Sequence, residues 1–193
     1  MKPSILKLRE IIKSYKPYNE QEEKDKEKLL WCIDNLENVL TRTNGIAHFT
    51  SSSFILNKSR DKVLMIHHNI YNSWAWTGGH ADGKADLLAV SLKEAVEETG
   101  VKNINPIYSD IFALDVLTVF GHVKRGEYVS AHLHLNTTYL LESEESEELI
   151  VKADENSAVK WIPIDEVVEC SSEEHMRKVY EKIITKIKEL KEK

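Results

Sequence analysis

One stretch constrains this chain more than any other: GGHADGKADLLAVSLKEAVEETGV, from Gly78 to Val101. Asp86 is a good helix N-cap and Gly100 a good terminator, so the spacing predicts a helix over about 87–99. At ~100° per residue, Leu88, Leu92, Ala95 and Val96 make one face, and Glu94, Glu97 and Glu98 fall on the opposite side. Glu94 stands at i, i+3 and i, i+4 to the other two, so the three carboxylates converge. Like charges at that spacing repel by roughly a few tenths of a kcal/mol per pair. A hard divalent cation reverses the sign, and carboxylate oxygens suit Mg²⁺ or Mn²⁺. Taken alone, three glutamates also read as a solvated acidic face.

The flanking texture places this helix in an α/β chain with a mixed sheet between helices. Phe49 to Leu56 and Val63 to His68 are β-rich runs joined by NKSRD, a hairpin pattern. Trp74 to Thr77 is a short strand ending at Gly78-Gly79. Ile104 to Phe120 reads largely as strand, Val129 to Leu141 alternates in period two, and Ala158 to Ile162 is a short strand with Trp161. A charged amphipathic helix closes the chain from about Ser172. Before Asn44-Gly45 the pattern is different. Two helices are expected there, one with Ile5, Leu8, Ile11 and Ile12 on its apolar face and one capped by Asn19. The second helix has its apolar stripe, Leu29, Ile33, Leu36 and Leu40, in its C-terminal half, while NEQEEKDKEK reads as solvated. The division expected is a helical extension over 1–43, packed on the core, and a domain over 44–193.

The Gly78–Val101 segment resembles the Nudix box, a glycine, five residues, a glutamate, seven residues, then Arg-Glu-apolar-x-Glu-Glu-x-Gly-apolar. Gly79 matches the leading glycine, and Glu94, Ala95, Glu97, Glu98, Gly100 and Val101 match the second half in register. Many fixed positions at fixed spacing make the match specific. The resemblance covers about Asn44 to Val167. Two positions depart from it. Ala85 stands for the early glutamate and Lys93 for the arginine. Those two residues can pair in the family. With both changed no carboxylate is stranded, and Lys93 is free to approach Glu97 at i+4 or Asp86.

The resemblance implies a Nudix-type α/β/α sandwich preceded by a helical hairpin, and a metal-dependent hydrolase of a diphosphate linkage. Its substrate would be a nucleoside diphosphate joined to another group. Glu94 and Glu98 would ligate Mg²⁺ or Mn²⁺, Glu97 would ligate or support, and the carbonyl of Gly79 or Gly78 could approach the ion. Glu94 or Glu97, or a downstream acid, would take the proton from water. Glu155 is the downstream carboxylate expected to complete the site, in preference to the run Glu142, Glu144, Glu145, Glu147, Glu148. Two other readings share the fold. One is a non-catalytic nucleotide-sensing module. The other is an isopentenyl-diphosphate isomerase-like enzyme, which would need a cysteine in the early core, whereas Cys32 and Cys170 lie outside it.

His67, His68, His80, His122, His132 and His134 crowd the box-bearing region. His80 and His134, with Trp76, are the expected substrate contacts. Zinc ligation by imidazole is the minor reading, because neither a paired-cysteine pattern nor an HExxH helix is present. For Trp74, Trp76 and Tyr139, strand core is the plainer assignment.

The net charge of -6 excludes a global field attracting nucleic acid, so phosphate would be met through cations. No stretch approaches the ~18 consecutive apolar residues of a membrane span. The opening MKPSILKLREIIKS lacks the apolar block of a signal peptide, so the cytoplasm and reduced cysteines are expected. The expected partner is a small diphosphate, and a homodimer is one way to cover the apolar stripes of the hairpin.

Overall fold

The computed structural model describes residues 2–124 and 126–191. Two helices come first, α1 (Pro3–Ser14) and α2 (Glu20–Asn35). The strands β1 (Ala47–Asn57), β2 (Lys62–His68), β3 (Ser73–Ala75) and β4 (Thr77–His80) lead into α3 (Leu87–Thr99). Then follow β5 (Asn105–Pro106), β6 (Ala113–Val119), β7 (His122–Lys124), β8 (Glu127–Val129), β9 (His132–Ser143) and β10 (Asn156–Pro163). A single turn, α4 (Val167–Cys170), precedes α5 (Glu174–Lys191). The fold is mixed α/β with N-terminal helices, as the sequence pattern implies. The eight-stranded sheet has the order β10-β2-β1-β9-β5, with β3 on β2, β4 on β1 and β6 on β9, and β7 pairs with β8 separately. Among the described residues no helix is long and apolar enough to cross a membrane.

The chain divides into two compact units, described in turn. The first comprises residues 1–51, 79–90 and 111–138. Here α1 packs on α2, and α2 packs on β6. Leu8, Ile12, Leu29 and Ile33 are fully buried or nearly so. Each such side chain contributes about 1.5–3 kcal/mol on burial, so apolar packing holds the hairpin together. Arg9 grips Asp34 through two hydrogen bonds of 2.7 and 2.9 Å, but this exposed pair is screened by water and adds little.

The polar half of α2 departs from expectation. Glu22 has no exposed surface, because its carboxylate accepts from the Tyr15 hydroxyl at 2.5 Å and the Tyr18 N–H at 2.8 Å. Asp25 accepts from the Val116 N–H of β6 at 2.9 Å, and Gln21 donates to the Leu114 carbonyl at 3.3 Å. The residues that read as solvated instead satisfy the backbone of β6, which pairs on its other side with β9 from Ala113↔Thr138 to Val119↔His132. Asn19 caps α2 as its position predicts, accepting from the Glu22 N–H.

The second unit comprises residues 52–78, 91–110 and 139–193. Its ladder runs β10-β2-β1, with Trp161 opposite Leu64 and Ile55 opposite Leu64 on the other side. Tyr180 of α5 is fully buried, stands edge-on to Trp76, and accepts from the Trp76 N–H at 3.2 Å. The single strand expected over Ile104 to Phe120 is broken into β5 and β6. Pro106 has no N–H to extend the ladder, and Tyr108 to Asp110 turn away before β6 begins.

The Tyr15 hydroxyl is a principal donor to a buried carboxylate. Tyr15→Phe should therefore destabilise the fold by about 1–3 kcal/mol. Urea unfolding measures it, and an unchanged midpoint would show that Glu22 draws its solvation from elsewhere.

Candidate active site

The site is built on the passage from β4 into α3. Asp82 sits at φ 44°, held by Arg42 through bonds of 3.0 and 2.7 Å. Gly83, at φ 87°, follows it, and its N–H reaches the Leu40 carbonyl at 2.7 Å. The Asp86 carboxylate accepts from the Ala89 N–H at 3.1 Å and caps α3. Gly100 closes α3 at φ 77°, where a Cβ would lie 2.6 Å from the Ile150 side chain.

The buried stripe of α3 is Leu87, Val90, Ser91, Ala95, Glu98 and Thr99. Val96, expected to be inside, is 40% exposed, and Glu98, expected outside, is 4% exposed. Two hydroxyls of β1 set this rotation. Ser51 donates to the Leu87 carbonyl at 2.6 Å and Ser53 to the Ser91 carbonyl at 3.2 Å. The Gly78 N–H then donates to Glu98 Oε2 at 2.9 Å. A glycine N–H thus draws a carboxylate into the apolar side of the helix.

Glu98 is held well above the usual carboxylate range, at about 8. Burial is the leading cause. The Gly78 hydrogen bond opposes it, and the charges of Glu155 and Glu94 add to it. Lys93 bridges the outer glutamates, 3.0 Å from Glu94 and 2.6 Å from Glu97. This is the i+4 approach expected of a lysine in place of arginine. Ala85 is half-buried and Asp86 is occupied with the cap.

Of the two downstream acidic segments, the one before β10 comes to this site. Glu155 pairs with Lys152 at 2.9 Å, Lys152 lies 4.0 Å from Glu97, and Glu155 acts electrostatically on Glu98. Asn156, fully buried, donates from Nδ2 to the Glu98 backbone carbonyl at 3.0 Å, and its Oδ1 has no hydrogen-bond partner among the described residues. The acidic run is engaged elsewhere. Glu142 pairs with Lys58 at 2.8 Å and Glu145 with Lys62 at 2.6 Å, while Glu147 accepts from the Lys102 and Asn103 N–H groups. Lys152 and Asn156 were not foreseen, since nothing local in KADENSAVKW marks them.

The donor set fits a divalent cation. A buried carboxylate of high proton affinity, repelled by two neighbouring carboxylates, is relieved by a hard ion. Gly78 and Gly79 are half-buried in β4, and the Gly78 N–H is already directed at Glu98.

His80 and His134 meet in the first unit, 4.9 Å apart between ring centroids. His48 of β1 joins them at 5.1 Å from each, and His132 stacks on His48 at 4.8 Å. His48 was missed because a lone histidine at the start of a buried strand reads as core. Trp76 is 9% exposed and edge-on to Tyr180, which is a packing role. Cys32 is buried in α2 and Cys170 half-buried in α4, both as free thiols.

The NUDIX domain family matches residues 48–184, and the chain belongs to this family, whose members are generally metal-dependent pyrophosphatases. No curated protein matches it in sequence. Several solved structures share its fold. An Ap4A hydrolase from C. elegans, in a binary complex, is similar at 14% identity and a TM-score of 0.54, covering 74% of this chain and 96% of that one. The dihydroneopterin triphosphate pyrophosphohydrolase of E. coli is similar at 14% identity and a TM-score of 0.54, covering 71% and 94%. A NUDIX family hydrolase from Clostridium perfringens is similar at 22% identity and a TM-score of 0.51, covering 72% and 96%.

Because the folded state binds the Glu98 proton more tightly than the unfolded state, that proton stabilises the fold fully below about 4.5, and the contribution is lost as pH rises through about 8. In chelator-treated protein the wild-type melting temperature should fall across this window relative to Glu98→Gln. Parallel melting profiles for the two proteins would show that Glu98 is not strained by burial.

Proposed function

We propose that the chain is a divalent-metal-dependent hydrolase that cleaves a diphosphate linkage in a nucleoside diphosphate joined to another group. The observation that carries this reading is the buried Glu98 carboxylate, bonded by the Gly78 N–H of β4 and grouped with Glu94, Glu97 and Glu155. Glu94, Glu98 and Glu155 would hold the cation, with Glu97 and the Gly79 carbonyl as further ligands. The ion, Mg²⁺ or Mn²⁺, would supply charge neutralisation for the diphosphate oxygens and a more acidic water. Glu94 or Glu97 accepts the proton that water gives up. Lys93 and Lys152 keep the outer carboxylates oriented. His80 and His134 are half-exposed, as the substrate contacts we assign to them require. Residues 1–43 act as a helical extension of the catalytic domain, and the reduced thiols suit the cytoplasm.

The nucleotide-sensing alternative draws support from one feature. The Lys93 ammonium occupies the gap between Glu94 and Glu97, with Ala85 in place of the residue that would engage an arginine. An isomerase reading has less support, since neither thiol lies near the glutamates of α3 in sequence or element.

Turnover of a panel of diphosphate compounds with Mg²⁺ or Mn²⁺, scored for phosphate products, tests the reading. Glu98→Gln should remove most turnover with the fold retained. Glu155→Gln should cost on the order of 10–100-fold in turnover or metal affinity, and Glu145→Gln far less. Wild-type turnover in Glu98→Gln would overturn the ligand assignment. Nucleotide binding without turnover in the wild type would favour the sensor.

A further inference from the structure

The histidine cluster is separate chemistry from the glutamates of α3. We propose that His48, His80 and His134 form a second metal site, which takes a borderline transition ion such as Zn²⁺ and leaves its fourth coordination position open.

The three residues come from β1, β4 and β9, and each offers one ligand atom, all within 4.8 Å of one another. Tetrahedral Zn²⁺ holds imidazole nitrogens at about 2.0–2.1 Å, which sets them about 3.4 Å apart. The rings therefore need to close by a little over 1 Å, a change that side-chain rotation supplies.

Two observations point to an ion rather than to plain packing. His48 is 4% exposed, and its Nδ1 lies 2.9 Å from the Asn44 carbonyl. Only an N–H can bond a carbonyl, so the neutral ring carries its proton on Nδ1 and presents a lone pair at Nε2. That Nε2 is buried and has no hydrogen-bond partner among the described residues. A buried acceptor with nothing to accept is costly, and a metal ion satisfies it. Carbonyl bonding at the second nitrogen is also how metal-ligating histidines are fixed in tautomer and orientation.

The second observation is the grouping of the rings. Four imidazoles stand within 4.8–5.2 Å of a neighbouring ring in the cluster, His132 stacked on His48 and tilted to His134 among them. His132 turns its Nδ1 to the Ser130 carbonyl at 2.9 Å and serves as a wall behind His48. Asp82, tied to Arg42, is the carboxylate that interacts with both His80 and His48, and it supplies negative charge beside the ion.

Ligand softness separates the two sites. Three nitrogens suit Zn²⁺ or Co²⁺, whereas the oxygen set of the glutamates suits Mg²⁺ or Mn²⁺. His80 and His134 are half-exposed, so the open position is reachable by a ligand. The substrate contacts assigned to these two residues would then be made through the ion. The site itself does not depend on diphosphate hydrolysis.

Chelator-stripped full-length protein titrated with Co²⁺ should develop the visible d–d absorption of a low-coordinate nitrogen site, saturating at one ion per chain, and Zn²⁺ should bleach it. His80→Ala and His134→Asn should lose the band, while Glu98→Gln keeps it. Zn²⁺ titration of wild-type protein with ¹⁵N-labelled histidine reads the same site without substitutions, moving the ring resonances of His48, His80 and His134 and leaving His67 and His175 in place. No visible band, a band lost in Glu98→Gln but kept in the histidine variants, or unmoved ring resonances would each overturn the site.

Discussion

The hydrogen bond from the Gly78 N–H to the Glu98 carboxylate is the constraint around which the rest is arranged. It carries an ionisable group into the apolar side of α3, against a desolvation cost that leaves the group holding its proton near neutral pH. A helix placed only to bury apolar area would turn Val96 inward. Here α3 is rotated so that Val96 faces solvent and Glu98 does not. Ser51 and Ser53 of β1 hold that rotation through two α3 carbonyls, and Asp86 and Gly100 fix where the helix begins and ends. Stability is spent at one position to keep a strained carboxylate in place, a pattern expected of a functional site.

Around this centre, charges are neutralised in pairs that leave the buried member for last. Lys93 serves Glu94 and Glu97, and Lys152 serves Glu155 and approaches Glu97. None of these exposed pairs holds the fold together, since water screens them. Their effect is to hold several carboxylates close together by placing an ammonium between them. The replacement of the family's arginine by Lys93 is consistent with that role, because a flexible ammonium reaches two carboxylates on its own helix where a rigid fork would reach across to the missing residue at Ala85.

Much of this was legible in the sequence. The bounds of α3, the box register, the capping of α2 by Asn19 and the β-hairpin around NKSRD are local facts, set by spacing and by the conformational preferences of Asp, Asn and Gly. Glu155 was singled out over the acidic run on a local clue, the turn before β10. What was illegible depends on partners distant in the chain. Glu22 read as solvated because it is charged, and Glu98 was placed on the face away from the apolar stripe, yet each is buried against N–H or O–H donors that periodicity does not reveal. Asp25 looked like surface until β6 presented an unpaired N–H to it. His48 carried no signal of its own, since its meaning comes from His80 and His134, which the sheet brings to it from 32 and 86 residues away.

The central claim is that α3 carries a divalent-cation site whose key ligand is Glu98. Electron paramagnetic resonance of Mn²⁺ tests it without a substrate, because free Mn²⁺ gives a six-line signal that binding broadens away. Titration of chelator-stripped wild-type protein should suppress the free-ion signal, with Glu98→Gln leaving most of it in solution while the far-ultraviolet circular dichroism of the two proteins matches. Equal depletion of free Mn²⁺ by both would contradict the account.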